Sequence, residues 1–236
     1  MMRRSNGGYI NPVSEAPVMN DDVYRAAYAA TDKLYAELAP LMHGQDYGYE
    51  ILYGPPVPAA SLFILGYQPG CTEADKTMPE VLKRPSKPRD QLAYAYENWR
   101  LAKALREIWP AEFMTSMTGG NINFFRAVSV ASWRTIPLSL RRRMQAHSLQ
   151  AMQEMVTADP PERFLVIGHD TLKKIPGHQP GKVLLRSSHT TRPYRLVQEA
   201  TLWGRPALAV THLSGAQLSA EDRRRIEIRT RDWAGI

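Results

Sequence analysis

Cysteine and long apolar runs are scarce in this chain. The 236 residues include a single cysteine, Cys71. One thiol excludes a disulfide framework, and it excludes an iron–sulfur cluster, which needs about four thiolates. The six histidines are scattered without metal-ligand spacing, so the sequence predicts no metal and no other cofactor. No apolar stretch is long enough to span a membrane or follows a signal-peptide pattern, which predicts a cytoplasmic protein without a membrane partner, and we expect a monomer.

Acidic residues are outnumbered by basic ones. There are 30 Lys and Arg against 23 Asp and Glu, which gives a formal net charge of +7 and an isoelectric point near 9.6. A basic surface suits a phosphate backbone, although a solvated basic surface without a ligand is the simpler alternative. The basic residues concentrate at positions 83–89, 141–143, 173–182, 186–195 and 223–231.

The order of apolar segments predicts an α/β fold. Residues 1–20 read as an N-terminal arm, and residues 21–236 as a single α/β domain. Helices are predicted at 21–41, 90–108, 137–158 and 219–233. Strands are predicted at 62–65, 121–130, 163–167 and 206–210, with paired extended segments at 183–187 and 194–203. Short apolar strands without polar alternation favour a three-layer α/β/α sandwich with a mostly parallel central sheet of about four strands.

Two polar turns follow apolar strands and carry most of the functional signal. The first is Gly66-Tyr-Gln-Pro-Gly70, and the second is His212-Leu-Ser-Gly215. In open α/β sheets, ligands bind outside the carboxyl ends of the strands. We therefore expect both turns to border one pocket. A plain strand-to-helix turn and a histidine at a strand end are the alternative interpretations.

Together with Asn121-Ile-Asn-Phe-Phe-Arg-Ala and Phe164-Leu-Val-Ile-Gly168, these turns resemble the uracil-DNA glycosylase superfamily in the order of four elements. The resemblance covers roughly residues 50–233. It implies a protein that flips an altered, uracil-like base out of DNA and hydrolyses its N-glycosidic bond. A histidine can stabilise the departing base anion, and an asparagine amide can read a uracil-like edge.

The resemblance assigns roles residue by residue. Gln68 stands where many members have the catalytic Asp or Asn, Tyr67 stands where some branches have a catalytic Glu, and His212 matches the leaving-group histidine. Asn123 is the preferred base-reading residue and Asn121 the second choice, while Gly66 and Phe124 complete the base-binding set. The predicted DNA contacts in the two motifs are Pro69, Gly70, Leu213 as a wedge, Ser214 and Gly215.

The first motif lacks a carboxylate, which sets up competing functions. Neither Tyr67 nor Gln68 is acidic, so Glu73 and Asp75 are the nearby carboxylates that compensate in a catalytic interpretation. A binding-only relative that lost the acid is the alternative, and an enzyme acting on free nucleosides is a third. Basic residues of the last helix and of the 173–195 region are predicted to contact DNA around the pocket.

Overall fold

The computed structural model describes residues 21–188, 191–214 and 218–235. The predicted arm at 1–20 lies outside the described residues. The helices are α1 (Asp21–Leu38), α2 (Glu80–Lys83), α3 (Ala93–Tyr96), α4 (Arg100–Ile108), α5 (Ala111–Met114), α6 (Val130–Thr135), α7 (Leu138–Ala158), α8 (His169–Lys173) and α9 (Ala220–Ala234). The strands are β1 (Leu62–Gly66), β2 (Met117–Asn121), β3 (Phe164–Ile167), β4 (Gln179–Arg186), β5 (Arg195–Leu202) and β6 (Arg205–Val210).

The fold is α/β, built on one mixed sheet of six strands in the order β2-β1-β3-β6-β5-β4. Strands β2, β1, β3 and β6 run parallel; β5 pairs antiparallel with β6, and β4 pairs antiparallel with β5 at the edge of the sheet. The predicted number of about four strands is therefore too low. The predicted pairing of the segments near 183–187 and 194–203 is present, and this hairpin extends the sheet beyond β6.

The apolar strands are buried on both faces. In β1, Phe63 and Leu65 enter the core that contains α1 and α7, while Leu62 and Ile64 enter the core that contains α4 and α9. Strands β3 and β6 divide their side chains in the same way. Two covered faces explain why these strands lack polar alternation.

The second strand lies earlier than predicted. The 121–130 prediction is wrong, because β2 covers Met117–Asn121 and its middle residues are glycines. A Cβ at Gly119 would lie 2.6 Å from a ring carbon of Tyr94, and one at Gly120 would lie 2.9 Å from the Met152 methyl. Close packing on both faces requires these glycines, and glycine carries no strand propensity that a sequence pattern can detect.

The predicted 90–108 helix is two helices. Glu97 and Trp99 adopt extended backbone angles between α3 and α4. The Arg106 guanidinium donates to the carbonyls of Tyr94 and Glu97 at 2.9 and 2.7 Å, which satisfies groups at the end of α3. The apolar spacing continues across this break, so it could not reveal the break.

The parallel strands end together. Gly66 pairs with Asn121, and Ile167 pairs with Val210, so the segments after β1, β2, β3 and β6 emerge at one edge of the sheet. Within the described residues, none of the helices combines the length and apolarity needed to cross a membrane.

Candidate functional site

A cleft of about 730 Å³ opens at the carboxyl edge of the parallel strands. All five residues of the Gly66–Gly70 turn line it, and so do His212 and Ser214. The turn is held beside the segment that follows β2, because Pro69 accepts a hydrogen bond from the Ala127 amide at 3.3 Å. The expectation that both polar turns border one pocket agrees with this geometry.

Gln68 is fixed by one end of its amide. Its Nε2 donates to the Phe125 carbonyl at 2.8 Å. No hydrogen bond to its Oε1 forms within the described residues, so this oxygen remains an acceptor on the cleft. A neutral amide oxygen can orient a water molecule but cannot take its proton at neutral pH.

Asn121, rather than Asn123, lies in the cleft. Asn121 ends β2, is 2% exposed, and its Nδ2 has no hydrogen-bond partner within the described residues. Its Oδ1 would lie 2.5 Å from a Cβ at Gly66, so only glycine at that position leaves room for this amide. Asn123 is fully buried outside the cleft lining, and its Oδ1 accepts from the Phe125 amide at 3.4 Å. The preference for Asn123 as the base reader is therefore wrong.

Three aromatic rings line the cleft beside β2. The ring centroids of Tyr53 and Tyr94 are 5.1 Å apart, and that of Trp99 lies 5.5 Å from Tyr53 and 6.1 Å from Tyr94. The Tyr94 hydroxyl is buried without a partner among the described residues, and burial raises its pKa far above the usual range. Burial likewise raises the pKa of Tyr53 to about 12. Both phenols therefore stay neutral and keep a proton to donate.

Phe124 is a core residue. Its ring is completely buried, belongs to the core that contains α1 and α7, and meets His147 edge-on with centroids 6.4 Å apart. Its assignment to the base-binding set is wrong, because the chain bends after Asn121 and turns this side chain inward.

A buried ion network closes one side of the cleft. Glu50 is 4% exposed and accepts hydrogen bonds from Arg89 at 3.2 and 3.0 Å and from Arg126. Both arginines also line the cleft, and the Arg126 Nε is buried without a partner among the described residues. Both oxygens of this carboxylate are occupied by arginine N–H groups, so neither is free to contact a water molecule or a substrate proton.

The two carboxylates predicted to compensate differ in position. Glu73 does not line the cleft; it accepts from the Tyr47 hydroxyl at 2.8 Å and pairs with Lys76 at 3.6 Å. Asp75 does line the cleft, and its Oδ2 accepts from the Thr72 amide at 2.6 Å, which caps a short 3-10 turn at Glu73–Thr77. Glu73 therefore lies outside the cleft lining, and Asp75 is the predicted carboxylate that the structure places in it.

His212 stands at the mouth of the cleft, and Ser214 Oγ lies 3.1 Å from its Nδ1. Part of the ring is exposed, yet desolvation by the surrounding protein lowers its pKa, so the imidazole is neutral at pH 7. When the Ser214 hydroxyl donates to Nδ1, Nε2 carries the proton and can donate to a ligand. Leu213 is 4% exposed and packs in the core, so its assignment as an exposed wedge is wrong. Gly215 lies outside the described residues.

Two further predictions concern the surroundings of the cleft. Tyr67 lines both the cleft and a neighbouring groove of about 680 Å³. Lys173, Lys174 and Arg195 line that groove, whereas no described residue of α9 lines either cavity. The last helix therefore does not border the pocket as predicted. No cluster of three or more potential metal ligands occurs within the described residues.

Sequence reasoning missed Glu50, Tyr53, Tyr94 and Arg89 as cleft residues. They come from separate loops and a short helix, and no motif links them. No protein-family model matches this chain, and no curated protein matches it. The geometry of the cleft therefore carries the functional argument.

Proposed function

We propose that the cleft takes up an altered, uracil-like base displaced from DNA and that the chain hydrolyses the N-glycosidic bond of that nucleotide. The supporting observation is the buried Asn121 amide beside the aromatic wall of Tyr53, Tyr94 and Trp99: among the described residues its Nδ2 has no partner within hydrogen-bond distance, and the phenol of Tyr53 is the polar group that it influences. A buried unpaired donor is costly unless a ligand satisfies it. A flat heterocycle with carbonyl acceptors satisfies both features at once, because it stacks on the rings and accepts from the amide.

The chemistry assigns one task to each wall of the cleft. A water oxygen bonds to the sugar C1′ while the bond from C1′ to the base nitrogen breaks; the added water then releases one proton to bulk solvent, and the base, which leaves as an anion, takes one up. His212 donates through Nε2 to a base carbonyl and stabilises that anion. Gln68 Oε1 orients the water, and Asp75 supplies negative charge near the developing sugar cation.

A binding-only protein is the second candidate, and the ion network favours it. Glu50 is the most buried carboxylate of the cleft, and Arg89 and Arg126 occupy both of its oxygens. Asp75 uses one oxygen to cap a turn. With no free buried base, the cleft would bind an unstacked nucleotide without cleaving it, or cleave it slowly.

The deciding experiment is a panel of oligonucleotides that carry different altered bases, scored for abasic sites. Release from one or a few carbonyl-bearing bases is expected. Asn121→Ala should abolish the preference among bases and leave the fold intact, because its Nδ2 has no partner within hydrogen-bond distance among the described residues.

Asn123→Ala is the matched control. It removes the acceptor of the Phe125 amide and should cost about 1–3 kcal/mol of unfolding free energy, because a buried N–H loses its partner. It should leave the base preference unchanged. If no substrate in the panel yields an abasic site while DNA still binds, the binding-only function replaces the enzymatic one.

A further inference from the structure

The groove beside the cleft has an unusual concentration of positive charge. It lies between α6, α7, α8 and the ends of β1 and β6, and Tyr67, Val130 and His212 line both cavities. Asp170 is the one acidic residue that lines it among the described residues. The cations that line it are Arg134, Arg141, Lys173, Lys174 and Arg195.

Most of this charge is not neutralised by the protein. Lys173 pairs with Asp170 at 2.8 Å. Within the described residues, none of the other four cations forms an ion pair. Arg141 uses Nε on the Ile136 carbonyl at 2.9 Å, and Arg195 uses Nη1 on the Gln198 side chain at 2.9 Å. These neutral partners orient the guanidinium groups without cancelling their charge.

Neutral donors accompany the cations. Gln145 Nε2 donates to the Tyr67 hydroxyl at 2.7 Å, which leaves the phenol proton free to donate in turn. Trp133 is 2% exposed and lines the groove, and its Nε1 faces the Tyr67 hydroxyl. A cavity that presents five cations, several neutral donors and a single carboxylate among the described residues suits a ligand rich in anionic oxygens.

We propose that this groove binds the sugar–phosphate backbone of the DNA strand next to the nucleotide whose base enters the cleft. This inference rests on the proposed function. The cations come from four separate elements rather than from one point, which suits a chain of phosphates better than a single phosphate. Tyr67 and His212 form the boundary between the cavities, so a strand can place a base in the cleft and its neighbouring phosphates in the groove.

The test compares two double variants that remove equal charge. Arg134→Gln/Arg141→Gln changes the groove, whereas Arg142→Gln/Arg223→Gln changes two exposed arginines that line neither cavity. Fluorescence anisotropy measures binding of short oligonucleotides between low and physiological salt. Because each phosphate contact contributes about 0.7 to the salt slope for a single strand, the groove variant should lose about 1.4 from that slope. Its affinity should fall about tenfold or more, since hydrogen bonds to charged groups are strong. The control should behave as wild type.

Equal slopes and affinities for the two variants would overturn the proposal. Lys174→Gln, a single exposed change, provides the same comparison if the double variant is poorly folded. Inorganic tripolyphosphate separates a strand from a free anion. If it competes as well as an oligonucleotide of similar charge, the groove is a general anion site and the strand proposal is wrong.

Base release separates this inference from the proposed function. At limiting DNA, base release by the groove variant should fall with its weaker binding, whereas the control Arg142→Gln/Arg223→Gln should release base as the wild type does. If the wild type releases no base at all, the proposed enzymatic function fails while the salt slopes still decide the groove.

Discussion

The cleft and the groove share Tyr67 and His212 but differ in nearly everything else. The cleft is walled by aromatic rings and holds buried donors that have no hydrogen-bond partner among the described residues, and its most buried carboxylate, Glu50, is paired with two arginines. The groove presents exposed or half-exposed cations whose charge the protein largely leaves uncompensated. Buried unpaired donors discriminate between ligands, because a wrong ligand leaves them unsatisfied. Exposed charges attract any phosphate chain, and salt screens them. The cleft is therefore suited to discriminate between bases, and the groove is suited to attract a phosphate chain of any sequence.

The largest expected effect tests which rings belong to the cleft. Phe124→Ala should lower the unfolding free energy by about 3–5 kcal/mol, because it removes a fully buried ring from the core. Denaturant unfolding measures this loss. Trp99→Ala is the counterpart: it should weaken binding of an unstacked base by about 1–3 kcal/mol, since stacking is lost. A base preference that changes in Phe124→Ala and not in Trp99→Ala would place the stacking wall elsewhere.

The next effect tests whether His212, which lines both cavities, contributes to base release in the cleft or to DNA binding in the groove. His212→Ala should lower the single-turnover rate of base release by about 10²–10³-fold, which is the usual cost of losing one donor to a developing anion. Binding of undamaged DNA should change little, because the ring is neutral at pH 7. Gln68→Ala should cost less, since an amide only orients water. A larger loss in Gln68→Ala than in His212→Ala would show that water placement limits the reaction.

The smallest effect concerns pH and the groove. Desolvation lowers the pKa values of His169 and His212 below 6.5, so both rings are neutral at pH 7.5. Nearby phosphates would favour the protonated rings and raise both pKa values, so DNA affinity should increase as the pH falls below about 6.5. Each one-unit rise in pKa on binding gives up to about tenfold. Anisotropy titrations of wild type and His169→Gln at several pH values measure how much His169 contributes to the pH dependence of DNA affinity.

Folding stability changes in the opposite direction over the same pH window. Because the folded-state pKa values lie below the unfolded ones, the unfolded chain binds more protons below about pH 6.5, and stability falls as the pH decreases. The folded fraction must therefore be verified at each pH. Affinity that stays constant while the protein remains folded would argue against phosphates near these rings.

Much of the fold follows from local sequence patterns. Strands β1, β3 and β6 are continuous apolar runs, α7 begins just after Pro137, and α9 begins after Ser219, whose side chain accepts from the Asp222 amide. A strand buried on both faces must be apolar throughout, and a helix needs side chains to satisfy its first amides, so both features leave local signals. Strand β2 has no such local signal. Its two glycines are required by close contacts with Tyr94 and Met152, which lie far away in the sequence.

The site was less predictable than the fold. The two polar turns were found because each directly follows an apolar strand. The choice between Asn121 and Asn123 depended on where β2 ends, and a shift of a few residues moves a side chain from the cleft into the core. Glu50 pairs with Arg89 and with Arg126, which lies 76 residues further along the chain. A local sequence pattern cannot predict contacts between residues so far apart.

The sequence by itself determined an α/β chain with polar turns after its buried strands and an excess of basic residues, because burial and net charge depend on residue type. The tertiary structure alone decided three properties: which asparagine lies in the cleft, which carboxylate pairs with two arginines, and which five cations line the groove. Those properties depend on distances between segments far apart in the chain. Such distances are fixed by strand register and by packing on both faces of the sheet, not by any local run of residues.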